Sequence, residues 1–180
     1  LRWRVFRASR GPMRARLYHN IQYHWVVSTM WAAAPPCVGL RDRLSVLRGG
    51  ILTISAYVDI LRNEFGKRVI LLDAGDFLHG TLTANVSKGG VMIKAANAIG
   101  YTAATIGNHE FDFGPLLPGD PDKLGVIKKR IKDAAFPFLA ANITEKSSGT
   151  PITWHNTLPS TVVDIEGIQV GIIGLASPST

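Results

Sequence analysis

Ile51, Ile54, Val58, Leu61 and Phe65 recur at steps of three and four, one apolar stripe that predicts a helix, and Gly66 follows as a stop. Next, Val69-Ile70-Leu71-Leu72 is a continuous apolar run between Arg68 and Asp73, which predicts a short strand covered on both faces. After a loop rich in Gly and Thr, Gly90 to Ile99 reads as a second helix stopped by Gly100, and Ala103 to Ile106 as a second buried strand. Asp122 to Ala135 reads as a third helix started by Pro121, with Lys128, Lys129 and Lys132 on a solvated side. Phe136 to Ile143 reads as a third strand. Thr161–Ile165 and Ile168–Ile173 form a hairpin around the two-residue turn Glu166-Gly167. Strands alternating with helices predict an α/β layered fold. No internal repeat or low-complexity tract is present.

Residues 1–48 follow no such grammar. They hold Trp3, Trp25 and Trp31 of the four tryptophans and show no sustained helical or strand period. Three readings stay open: an Arg-rich transit peptide, a signal peptide starting at Met13, or sequence foreign to the functional protein. Arg14 and Arg16, then Trp25 to Ala34, then Ala32-Ala33-Ala34 would supply the signal's charged, apolar and cleavage regions, but His19, Asn20, Gln22 and His24 interrupt them. A chain that begins at Leu1 is expected to be a fragment. The organisation expected is therefore an atypical basic leader over 1–48 and one domain over 49–180.

Charge sharpens this division. The 180 residues carry 20 Lys and Arg against 13 Asp and Glu, a net +7, yet residues 1–40 contain six arginines, no lysine and no acid. That leaves +1 for residues 41–180, which argues against a nucleic-acid-binding face on the domain. Cys37 is the single cysteine, so neither an internal disulfide nor a cysteine-based zinc site is available. No apolar run approaches the roughly 18–20 residues that span a bilayer.

The chemistry gathers in two loops that each follow a predicted buried strand: Asp73-Ala74-Gly75-Asp76-Phe77-Leu78-His79-Gly80-Thr81 and Gly107-Asn108-His109-Glu110-Phe111-Asp112-Phe113-Gly114. In open α/β sheets, sites lie beyond the carboxyl ends of the strands. The two oxygens of Asp76 can bridge a pair of divalent ions, and the amide oxygen of Asn108 is a neutral hard ligand suited to Mn, Zn or Fe. Neighbouring glycines allow sharp turns and leave room for metal and substrate. His109 could then face a phosphoryl oxygen or leaving group, with Asp112 holding its tautomer.

Gly75-Asp76 with Gly80-Thr81, followed by Gly107-Asn108-His109-Glu110-Phe111-Asp112, resembles the calcineurin-like metallophosphoesterase superfamily. The strings LLDAGDFLHGT and GNHEFDFG are similar to its 5'-nucleotidase branch, which includes UDP-sugar hydrolases. Matches run from Gly49-Gly50 through Ala140-Ala141-Asn142-Ile143 to Gly171-Ile172-Ile173-Gly174-Leu175, so the resemblance covers about residues 49–180. It implies the N-terminal part of a four-layer αββα metallophosphoesterase sandwich with a centre of two divalent metal ions, Zn, Mn or similar. It also implies that Asp76 bridges both ions, Asn108 ligates the second, His109 assists the leaving oxygen, and Asp112 orients His109. The implied activity is hydrolysis of nucleotides, with cyclic nucleotides, UDP-sugars or a sulfur-oxidation intermediate as alternative substrates. The implied location is periplasmic, secreted or surface-attached. Oligomeric state is not readable.

Departures from the family are equally plain. Its first metal motif, Asp-x-His, has no counterpart, since no acid precedes Asp42 and Asp42 is followed by Arg43-Leu44. Its later Gly-His loops are missing too, because His155 is the last histidine. Few ligands mean weak metal binding, so the competing expectation is a non-catalytic remnant. An incomplete sandwich is also expected to expose sheet and dissolve poorly. His79 is read as supporting the site rather than ligating, Asp73 as a strand-end hydrogen-bonding residue, and His155 as structural. Asn85-Val86-Ser87 and Asn142-Ile143-Thr144 match the glycosylation pattern, with Asn85 expected on the surface and Asn142 buried.

Overall fold

The computed structural model describes residues 4–7, 16–19 and 50–176. Within the leader, β1 (Arg4–Arg7) pairs antiparallel with β2 (Arg16–His19), placing Arg4 opposite His19 and Arg7 opposite Arg16. No strand period is legible there in the sequence, because four residues are too few to establish one. The rest of the leader, including Cys37 and the signal-like stretch, lies outside the described residues.

Helix α1 (Ile51–Phe65) turns its predicted stripe inward: Val58 is buried and Ile51, Ile54, Leu61 and Phe65 are partly so, while Leu52 and Ile60 off the stripe are exposed. The central sheet follows, in the order β3-β4-β5-β6, with β3 at Leu72–Asp73, β4 at Ala103–Thr105, β5 at Phe138–Leu139 and β6 at Thr157–Leu158. Every pairing is parallel, with Leu72 opposite Ala103, Ala104 opposite Phe138 and Leu139 opposite Leu158. Parallel neighbours need crossovers. The short α2 (Leu82–Val86) and α3 (Gly90–Ile99) join β3 to β4, and α4 (Gly125–Asp133) joins β4 to β5. Met92, Ile93, Ala96 and Ile99 of α3 and Ile127 and Ile131 of α4 bury into one cluster with Ala104, Ile106, Phe138 and Ala140. Among the described residues, no helix is long and apolar enough to cross a membrane.

The predicted hairpin forms as β7 (Ser160–Ile165) and β8 (Ile168–Ile173), with Val163 opposite Val170. Glu166 and Gly167 both take positive φ, 50° and 86°, the two-residue turn whose twist suits a hairpin. One face of this hairpin stays open, with Val162 and Ile173 at 63% and 68% exposure.

Several expectations need correction. The Val69–Leu72 run is not covered on both faces: Ile70 is buried, its neighbours only partly so, and pairing starts at Leu72. The Phe136–Ile143 strand shortens to Phe138–Leu139, and α4 starts three residues late because Asp122 turns the chain first, its Oδ1 accepting the Leu124 N–H at 3.0 Å. Helix α2 replaces part of a predicted loop, capped by Thr81 Oγ1, which accepts the Ala84 N–H at 3.1 Å. Asn142 is exposed, not buried, although its amide still holds both the N–H and the carbonyl of Ala176. The lysines of α4 are more than a solvated face, since Lys128 pairs with Asp122 and lies 5.6 Å from the Trp154 ring, and Lys129 pairs with Asp133.

Asn156 joins α4 to the sheet. At φ 60°, its Nδ2 donates to the carbonyls of Ile131, Ala134 and Phe136 at 3.1, 3.1 and 2.8 Å. Its own carbonyl accepts the Phe138 N–H at 3.0 Å.

Candidate active site

Because β3 and β4 are adjacent and parallel, both polar loops leave the same carboxyl edge of the sheet, where ligands bind in such folds. Two buried residues pin the first loop. Phe77 stacks between Tyr101 and Phe138 at 6.3 and 6.0 Å, and Leu78 is fully buried. Asp76 and His79, flanking that apolar pair, are left more accessible.

The loops touch through backbone. A Cβ on Gly75, which sits at φ 95°, would lie 2.6 Å from the Gly107 nitrogen, and a Cβ on Gly107 would lie 2.3 Å from Asp76 Oδ1. The glycines therefore permit contact between the two turns rather than room for substrate. Glu110, at 0% exposure, ties the turns together. Its Oε2 accepts the N–H groups of Asp76 and Gly107, both at 2.7 Å, and its Oε1 accepts that of Leu78 at 3.2 Å. Burial pushes this carboxyl up to about 7, against the pull of the Asp76 N–H and with the charge of Asp76 adding to the rise. Sequence reasoning missed Glu110, since an acid in a polar loop reads as surface.

Asp76 adopts φ 65°, a left-handed conformation in which Asp is among the tolerated residues. Its Oδ1 accepts the His109 N–H at 2.9 Å, and its Oδ2 takes no hydrogen bond among the described residues. The carboxamide of Asn108 likewise makes none. Two oxygen donors on adjacent turns thus stand unengaged, which fits the hard-ligand half of a divalent metal site. His109 Nδ1 lies 2.7 Å from Asp112 Oδ2, both side chains being about half exposed. The bond to Asp112 raises the imidazole above its usual range, with partial burial opposing. His79 stacks on His109 at 5.3 Å and 11°. Asp73 Oδ1 accepts the Gly75 N–H at 2.8 Å, while its buried Oδ2 has no partner among the described residues and burial holds the carboxyl well above its usual value. His155 is exposed beside Trp154, away from this cluster.

A parallel α/β sheet presenting an aspartate turn and an asparagine–histidine turn at one edge defines a metallophosphoesterase-type protein. The chain is 39% identical over 114 residues to a 5'-nucleotidase of Diplobatis ommata, covering 63% of this chain and 18% of that one. It is 35% identical over 170 residues to the snake venom 5'-nucleotidase of Gloydius brevicauda, covering 94% of this chain and 26% of that one. Among solved structures, the 5'-nucleotidase precursor of Thermus thermophilus aligns with a TM-score of 0.56 at 32% identity, covering 72% and 23% of the two chains. No protein-family model matches the chain. The chain belongs to the 5'-nucleotidase family of metallophosphoesterases, over part of its N-terminal region. It spans between 18% and 26% of the length of these curated relatives.

Proposed function

We propose that the protein hydrolyses nucleotide phosphoesters in the manner of a 5'-nucleotidase, with Asp76 and Asn108 holding part of a two-ion centre and His109 and Asp112 serving proton transfer. The observation that carries this reading is the pair of unengaged oxygen donors, Asp76 Oδ2 and the Asn108 carboxamide, beside the His109–Asp112 pair. Bound Zn, Mn or similar ions would supply Lewis-acid stabilisation of the phosphoryl charge. Asp112 fixes Nδ1 of His109 as the hydrogen-bonded nitrogen, which leaves Nε2 to hand a proton to the departing nucleoside oxygen. The Asp76 carboxylate in turn holds the His109 backbone N–H, so ligand and acid are placed by one contact.

Replacing His109 with Asn should slow hydrolysis of nucleoside monophosphates by about 10²–10⁴-fold. An unchanged rate removes the acid role. Cyclic nucleotides and UDP-sugars belong in the same assay as the alternative substrates. The alternative of a non-catalytic chain is favoured if the folded protein retains no manganese or zinc after dialysis, and contradicted by two ions per chain. Relatives named as venom enzymes and as a precursor support an extracytoplasmic location.

A further inference from the structure

Asn85-Val86-Ser87 and Asn142-Ile143-Thr144 both carry the acceptor pattern for a glycan, and both asparagines are exposed. The fold separates them by what each amide already holds. Asn142 meets Ala176 along one edge, its Nδ2 donating to the carbonyl at 2.9 Å and its Oδ1 accepting the N–H at 2.8 Å. Asn85 uses its oxygen alone, which accepts the Gly80 N–H at 3.0 Å. Its Nδ2 makes no hydrogen bond among the described residues. We propose that Asn85, and not Asn142, is a site of N-linked glycosylation, an inference that rests on the extracytoplasmic location proposed above.

Amide geometry decides between the two. A substituted amide keeps its substituent trans to the carbon chain, as a peptide bond does, and therefore on the same side as the oxygen. That is the side on which the Asn142 amide faces Ala176, so a sugar there takes the place of the hydrogen that the Ala176 carbonyl accepts. At Asn85 the corresponding hydrogen has no acceptor. The bond to Gly80 survives modification, because the oxygen is unchanged, and the site loop keeps its tie to α2. The surroundings also favour Asn85. It lies in the last turn of α2, with Leu82 three residues before it on the same side and Val86 beside it, at 81% and 77% exposure. A bulky, solubilising glycan rooted there shields two large apolar side chains from solvent. The reaction draws on an oligosaccharide carried by a lipid pyrophosphate. A bond forms between Nδ2 and the anomeric carbon, the bond from that carbon to the phosphate oxygen breaks, the nitrogen gives up one proton, and the lipid pyrophosphate leaves.

The test expresses the full chain in eukaryotic secretory cells behind a cleavable signal, with a C-terminal tag bearing its own acceptor asparagine. Asn85→Asp, which keeps an oxygen for the Gly80 N–H, is the comparison. Chains with a modified tag are the ones scored, since the tag reports entry into the pathway. The parent should carry one endoglycosidase-sensitive glycan beyond that of the tag, mass spectrometry should place it on Asn85, and Asn85→Asp should lose it. Absence of this glycan, or a glycan on Asn142, alone or beside one on Asn85, would overturn the proposal. Expression without the fused signal tests the location by itself. A chain that never enters then loses the extracytoplasmic reading, and with it the occasion for the glycan, whereas a bare Asn85 on an entered chain counts against the site alone.

Discussion

Asn156 offers a test of the fold that separates side-chain bonding from backbone conformation. Its Nδ2 carries two hydrogens over three carbonyls, so one is shared between acceptors. Losing both bonds in Asn156→Ala costs about 2 kcal/mol at about 1 kcal/mol each. Holding alanine at φ 60° adds about 1–2 kcal/mol. Asn156→Gly loses the bonds but not the conformation, and should cost about 1 kcal/mol less than alanine. Asn156→Asp turns a carboxylate onto three carbonyl oxygens and should be the worst of the three at pH 7. Its carboxyl pKa is then raised in the folded state, so the variant's stability is fully present below the unfolded value near 4 and is lost as pH rises through the folded value. Urea unfolding followed by circular dichroism measures all three. At a slope of about 2 kcal/mol per molar, alanine should move the midpoint down by about 1.5–2 M. An aspartate variant as stable as the parent at pH 7 would show that the amide is not donating. Equal midpoints for glycine and alanine would remove the conformational contribution.

Two further perturbations probe the site's frame. Glu110→Gln keeps an oxygen for the Asp76 and Gly107 N–H groups but turns its NH₂ toward that of Leu78, costing about 1–3 kcal/mol. Glu110→Ala strands all three buried donors and should abolish cooperative unfolding; a melt like the parent's would refute the frame. Asp122 is held below its usual range by the Leu124 N–H and by Lys128, so its contribution is present above about 3.8 and lost as pH falls through the lower folded value. Asp122→Asn should therefore lower the stability slightly at pH 7, by under about 1 kcal/mol because the pair is exposed, with the difference from the parent shrinking as pH falls through the folded value.

What is readable in the chain follows repetition. The α1 stripe, the α3 helix closed by Gly100 and the Glu166-Gly167 hairpin all carry enough periodic or turn chemistry to be placed. Strand β5 is legible as an apolar run over 136–143 but its ends are not, since only Phe138 and Leu139 form it, and β6 is not legible because two paired residues have no period. The ends of β3 and β4 are legible as places for chemistry, which sets Asp76, Asn108, His109 and Asp112 on adjacent turns. The nearness of His79 to His109 and the burial of Glu110 are not, since both arise from contact between loops far apart in the chain.

The Glu110 carboxylate grips its partners by backbone N–H alone. Those three grips are indifferent to side-chain identity, so the turns depend on the residues at 76 and 78 only through the Asp76 bond to the His109 N–H and the burial of Leu78. Asp76→Asn should leave the turns in their native shape while removing a charge, yielding an inert twin of the site. Position 76 can thus trade its charge while keeping an oxygen for the His109 N–H, whereas Glu110, sealed from solvent and holding three amides, has almost no freedom to change.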